Sequence, residues 1–188
     1  MTVIRLPMDI KFPLYAAIIF YLLFGTSSAI ASESELPESI VVSDFSLLLN
    51  GSGSRKKFLL VKIYDIALYL PRRISNHRDI NKQIPQAFLI NIRFDSNKSF
   101  GIPRAWREEL LPLLNSEQES KLKAALVRAN VSDKFRVEYA PDIGTKILLE
   151  DELLLIESGY DLMAAFIDVW LGPKPVSVKL ASALMSES

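Results

Sequence analysis

The chain contains no cysteine. That excludes disulfides, thiolate metal sites, cysteine nucleophiles, thioether-linked haem and a lipid anchor on cysteine. It contains one histidine, His77, so a multi-histidine metal site is impossible. Charge of one sign is also missing. Lys+Arg and Asp+Glu each number 22, which leaves no net field to gather nucleic acid or an anionic membrane surface. No internal repeat or low-complexity tract occurs, and 188 residues suffice for one domain and hardly for two.

Long apolar runs are scarce as well. The longest, Phe12 to Phe24, follows Arg5 and Lys11 and precedes the small residues Gly25 to Ala31. A spanning helix needs about 20 apolar residues, and this run is shorter. Basic start, apolar middle and Ala-Ile-Ala end have the order of a secretory signal peptide cleaved after Ala31. The expected organisation is therefore a signal peptide over 1–31 and one domain over 32–188. The product would be exported to the periplasm, with no stable membrane anchor after cleavage. Removing residues 1–31 takes away two basic residues and one acidic residue, leaving a charge of −1. Without disulfides, such a domain relies on a packed core.

Along the remaining chain, Ile40 to Leu49 reads as a strand. Asn50-Gly-Ser-Gly-Ser54 reads as a turn, because Gly51 and Gly53 supply backbone freedom. No helix follows to cradle a phosphate. Arg55 to Leu70 reads as one long strand or two collinear ones, ended by Pro71. At sixteen residues it exceeds the usual strand length of about 5–6, so a bulge or bend is expected near Lys62–Asp65. Alternation places Tyr64, Ile66, Leu68 and Leu70 on one face, with Ile63, Asp65, Ala67 and Tyr69 on the other. Arg72 to Pro85 is polar and reads as a surface excursion carrying His77. Ala87 to Phe94 is a strand, with Phe88, Ile90, Ile92 and Phe94 sharing a face.

Ile102 to Leu114 has helical spacing, and Pro103 suits its first turn. Ser116-Glu-Gln-Glu119 reads as a capping box opening a second helix with Leu122, Ala125, Leu126 and Ala129 inward. Phe135–Tyr139, Lys146–Glu150 and Leu153–Ile156 are short strands on short links, hence antiparallel. Tyr160 to Leu171 is an apolar helix stopped by Gly172-Pro173. Val176 to Met185 is a last helix, with Val178, Ala181 and Leu184 inward. The order implies an α+β domain: one large antiparallel sheet with helices on one face.

Four segments carry a family resemblance. They are Gly51-x-Gly53-x-Arg55; Lys62-Ile-Tyr-Asp-Ile-Ala-Leu-Tyr-Leu70; Ala105-Trp-Arg107 opening a helix; and Phe166-x-x-x-Trp170-Leu-Gly172-x-x-Pro175 followed by Lys179-Leu180. Over residues 38–185 the chain resembles the chalcone isomerase-like family, and within it an exported bacterial branch. The resemblance implies an open-faced β-sandwich with a ligand cleft between the large sheet and the helical layer. In the plant enzymes of that family, the arginine after the Gly-x-Gly segment orients a phenolate for attack on an enone. Arg55 matches it and would be the catalytic residue if the protein were an enzyme. The enzymes' strand threonine is Tyr64 here. Their tyrosine and asparagine near the next helix have no counterpart; Ile102 and Glu109 are the nearest positions. The late-helix serine or threonine falls at about Val169.

A non-catalytic branch holds a fatty-acid carboxylate between an arginine and a tyrosine, and Arg55 with Tyr64 resembles that pair. The expected ligand is accordingly a fatty acid or similar apolar carboxylate, without cofactor, metal or nucleic acid and without catalysis. The ligand-binding residues are expected to be Arg55, Tyr64, Trp106 and Trp170. On helical apolar faces, however, tryptophans such as these two more often fill core positions than touch a ligand. The alternatives are an isomerase acting on an enone or phenolic substrate, and a structural or partner-binding domain with a filled cleft. One obstacle stands within the residues themselves. Positions 55 and 64 are nine apart, so on an unbroken strand their side chains point to opposite faces.

Overall fold

The computed structural model of the protein describes residues 36–57, 61–93, 111–127 and 134–185. Seven strands form a single sheet whose spatial order is the order of the chain. They are β1 (Ser39–Val42), β2 (Phe45–Lys57), β3 (Val61–Leu70), β4 (Gln86–Ile92), β5 (Lys134–Ala140), β6 (Gly144–Leu149) and β7 (Glu152–Glu157). Every neighbouring pair is antiparallel. The sheet curls, bringing β1 towards β5. Three α-helices are described: α1 (Ser116–Val127), α2 (Asp161–Leu171) and α3 (Val178–Met185). The α+β expectation of a large antiparallel sheet with a helical layer holds.

The main core lies between one sheet face and the helices. Tyr64, Ile66, Leu68 and Leu70 of β3 join Phe88, Ile90, Phe135, Val137 and Ile147 from the neighbouring strands. They meet Phe166, Val169 and Trp170 of α2 and Leu180 and Leu184 of α3. The opposite face has a smaller core of Val42, Leu47, Ala67, Tyr69 and Ala87. Both faces of β3 therefore follow the alternation of the sequence, with one exception. Ile63 packs on the helical side, because it is the extra residue of a bulge: Arg55 pairs with Tyr64, but Lys56 pairs with Lys62.

Residues 55–70 are not one strand. The chain reverses between β2 and β3, which pair antiparallel. The expected turn at Asn50–Ser54 is instead the middle of β2. Its glycines serve close approach rather than reversal. A Cβ on Gly51 would lie 2.3 Å from the Ala183 carbonyl oxygen and 2.6 Å from that of Leu184, so α3 rests directly on strand backbone. Asn50 is a second bulge residue, between the pairs Leu49–Tyr69 and Gly51–Leu68. Its buried amide donates to the Leu184 carbonyl at 2.8 Å and the Ile74 carbonyl at 3.1 Å, and accepts from the Ile74 N–H at 2.7 Å. One side chain thereby caps the end of α3 and ties down the segment after β3.

Other boundaries shift for local reasons. Ile40–Leu49 is split by a tight turn in which Ser43 takes a left-handed φ of 53°. The capping box at α1 begins one residue earlier than expected. The Asn115 side chain accepts from the Glu117 and Gln118 N–H groups, and the Gln118 side chain accepts from the Asn115 N–H. Val178 does not face inward. It is 73% exposed, at the first position of α3, while Leu180 and Leu184 are buried. Leu111–Leu113 is a 3₁₀ turn; the rest of the helix expected over 102–114, with Ile102 and Glu109, lies outside the described residues. His77 is exposed in a 3₁₀ turn.

Candidate functional site

The chain reversal removes the obstacle of the nine-residue separation. Arg55 on β2 and Tyr64 on β3 are direct cross-strand partners. Such partners present their side chains on one face, with Cβ atoms about 4.5–5.5 Å apart. That face is the helical one. Gly53, two residues before Arg55, looks at Leu180 and Ala183 of α3, and Tyr64 belongs to the main core.

Tyr64 is 1% exposed. Its hydroxyl accepts a hydrogen bond from Trp170 Nε1 at 2.9 Å, and the two rings meet edge to face with centroids 6.4 Å apart. Trp170 is itself gripped by Phe88 at 4.7 Å and by Phe166, stacked at 5.6 Å. The site is thus placed by two elements of different origin. A strand pair makes Arg55 and Tyr64 neighbours, and α2, set by its apolar face, brings Trp170 onto Tyr64.

Arg55 is half-buried. Its Nε is fully buried and has no hydrogen-bond partner among the described residues. A buried, unanswered donor on a charged group is costly. The arginines of the opposite face differ in having an acid beside them. Arg93 Nε donates to Asp65 Oδ2 at 2.7 Å. Arg136 Nε is also buried without an aligned hydrogen bond, but it lies 2.6 Å from the Glu138 carboxylate.

Of the four residues expected to bind ligand, Arg55 pairs across the strands with Tyr64, and Tyr64 bonds Trp170. Trp106 lies outside the described residues. Val169 is buried and apolar, so the late-helix polar position of the plant enzymes has no hydrogen-bonding side chain here. What sequence reasoning missed is the Tyr64–Trp170 bond, which links positions 106 apart and leaves no local signal. Among the described residues no group of three or more His, Asp or Glu could hold a metal ion, and no helix is long and apolar enough to cross a membrane.

A family model described as chalcone isomerase-like matches residues 29–186. The chain belongs to the chalcone isomerase-like family. No curated protein sequence matches it. Among solved structures, the fatty-acid binding protein of Arabidopsis thaliana is similar, with a TM-score of 0.57 and 16% sequence identity. The match covers 80% of this chain and 90% of the plant protein. At that identity the likeness establishes a shared fold, and the curled seven-stranded sheet with its helical layer is that fold.

Proposed function

We propose that this family member binds a fatty acid or similar apolar carboxylate beside Arg55 and Tyr64, without catalysis, and that it does so as an exported, periplasmic protein. The carrying observation is the buried Arg55 Nε, which has no hydrogen-bond partner among the described residues and lies across the strand pair from Tyr64. A guanidinium matches a carboxylate in charge and shape, and a phenol adds a further donor. The apolar residues of the helical face would take the chain at about 0.8 kcal/mol per buried CH₂. The plant protein of the same fold is a fatty-acid binding protein by name, which agrees with this reading. Of the plant isomerases' polar set only the arginine is matched, by Arg55, and Tyr64 replaces the strand threonine, which favours holding a ligand over transforming it. Export rests on Arg5, Lys11, the apolar run and the small residues up to Ala31.

Calorimetric titration with dodecanoate, together with mass spectrometry of ligands extracted from the purified protein, tests the proposal. The expected result is co-purified lipid and a loss of affinity of at least about tenfold in Arg55→Ala, the scale of a hydrogen bond to a charged group. No extracted lipid and equal affinity in Arg55→Ala would overturn it.

A further inference from the structure

The connections of the sheet sort its surface charge. Neighbouring strands are antiparallel and follow chain order, so the links β1–β2, β3–β4 and β5–β6 all leave from one end of the sheet. The β3–β4 link is the basic one. Arg72, Arg73, Arg78 and Lys82 are exposed within it, against the single acid Asp79. None of these four has an ion pair among the described residues, whereas Arg93, Lys121, Lys123 and Arg136 each stand against an acid. The two hairpin turns beside the link add one acid each, Asp44 and Asp142. The link is a fixed display rather than a free tail. Ile74 and Ile80 are buried, and the Asn50 side chain holds the Ile74 backbone. The Lys82 carbonyl accepts from the Tyr139 hydroxyl at 2.7 Å, and the Gln86 amide donates to the Asn81 and Ile84 carbonyls. Large apolar side chains stand exposed at the same end. Val41 (68%) and Phe45 (38%) flank the β1–β2 turn, and Ile143 (39%) lies in the β5–β6 turn.

We propose that this end of the sheet docks reversibly on an anionic lipid bilayer. Arg72, Arg73, Arg78 and Lys82 meet head-group phosphates, and Val41 and Ile143 enter between the heads. Cations beside exposed apolar side chains match a surface whose anionic heads cover hydrocarbon. Nucleic acid or an acidic protein would answer the cations and leave the apolar side chains unused. The balanced net charge does not oppose docking, because screening confines the attraction to charges within about 10 Å at about 0.1 M salt. The docking surface is independent of what the protein holds beside Arg55.

Co-sedimentation with vesicles tests this, using equal parts of phosphatidylglycerol and phosphatidylcholine against phosphatidylcholine alone. All variants share one N-terminus, so residues before Leu36 contribute equally. The unaltered chain is expected to prefer the anionic vesicles, and added salt should weaken that preference. Replacing Arg72, Arg73, Arg78 and Lys82 together by Gln should lower partitioning at least about tenfold. The same change at four exposed lysines elsewhere, Lys56, Lys134, Lys174 and Lys179, should lower it less than about twofold. Val41→Ser with Ile143→Ser should lower it about fivefold.

A second measurement needs no variant. Hydrogen exchange of the backbone amides in 72–83 and 141–143 should slow on anionic vesicles, while that of 150–152, at the opposite end of the sheet, should not. Equal partitioning to both kinds of vesicle would overturn the proposal. So would equal losses in the two four-residue variants, which would make net charge the cause rather than this surface. Dependence on the four cations with none on Val41 and Ile143 would assign the loop to a soluble polyanion and overturn the bilayer. Slowed exchange confined to residues outside this end would overturn it as well.

Discussion

The two faces of the sheet treat arginine differently. On the face away from the helices, Arg93 and Arg136 each stand against an acid of the same sheet, Asp65 and Glu138. The Asp65 cluster is densely answered: Ser54 Oγ donates to one carboxylate oxygen, Arg93 to the other, and Lys62 stands 4.0 Å away. On the helical face Arg55 has its Nε buried with no partner among the described residues, and its cross-strand neighbour is a phenol. A paired arginine mainly serves the fold. A half-buried arginine whose Nε is shut away with no acid beside it is a cost to the fold, and such a cost is intelligible where a ligand supplies the counter-charge.

The sharpest way to break this comparison is at two adjacent residues that point to opposite faces. Gly51→Ala should cost about 1–3 kcal/mol in urea unfolding, because the new methyl meets rigid backbone at 2.3 Å and α3 must lift. Ser52→Ala, exposed on the other face opposite Ala67, should stay within about 0.5 kcal/mol of the unaltered protein. Equal losses would show that α3 does not depend on the glycine.

The arginines give the next largest contrast. Arg93→Met should cost about 0.5–1 kcal/mol by depriving Asp65 of its nearest cation, and leave dodecanoate binding alone. Arg55→Met should lose dodecanoate binding yet melt no lower than the unaltered protein, since a buried unanswered nitrogen is replaced by apolar packing. If Arg55→Met unfolds the domain, the arginine is structural and the contrast between the faces collapses.

Two carboxylates of the same face should respond to pH with opposite sign, and these are the smallest effects. Burial alone would raise Asp65, but the hydrogen bonds of Ser54 and Arg93, with the charges of Lys62 and Arg93, outweigh it and hold the group below its ordinary 3.8. Its folded value lies below its unfolded one. It therefore contributes stability above about pH 4 that is lost as pH falls through the folded value. Glu138 is raised above its ordinary 4.5, because burial outweighs the charges of Arg136 and Lys146. Its ionisation costs stability once pH rises past 4.5 towards the folded value. Glu138→Gln should accordingly melt slightly higher at pH 7, an advantage that vanishes below about pH 4.5. Asp65→Asn should melt lower at pH 7 by under about 1 kcal/mol and lose less on acidification. Thermal melts between pH 3 and pH 7 would check both signs.

Much of the fold was legible because β3, β4 and β5 alternate with period two, β6 and β7 are short apolar runs on a short link, and α2 ends at Gly172-Pro173. The errors have physical causes. Residues 56–60, Lys-Lys-Phe-Leu-Leu, contain no Gly, Pro, Asn or Asp, so nothing local marks the reversal. Gly51 and Gly53 look like turn residues, but their use is visible only once α3, some 130 positions later, lies on them. The membership of Arg55 and Tyr64 in one site was suggested by family resemblance. That they share a face follows from strand pairing, which the residues between them did not disclose.

The hold of Asn50 on Leu184 also bears on how the chain is made. Each strand of this sheet pairs with the one just before it, so the sheet can grow in step with synthesis. The contact that seats α3 joins positions 134 apart, so its two partners leave the ribosome at well-separated times. The glycine groove on β2 therefore stays bare until α3 has been made. A chain cut before Val178 would leave a sheet that has formed but cannot close.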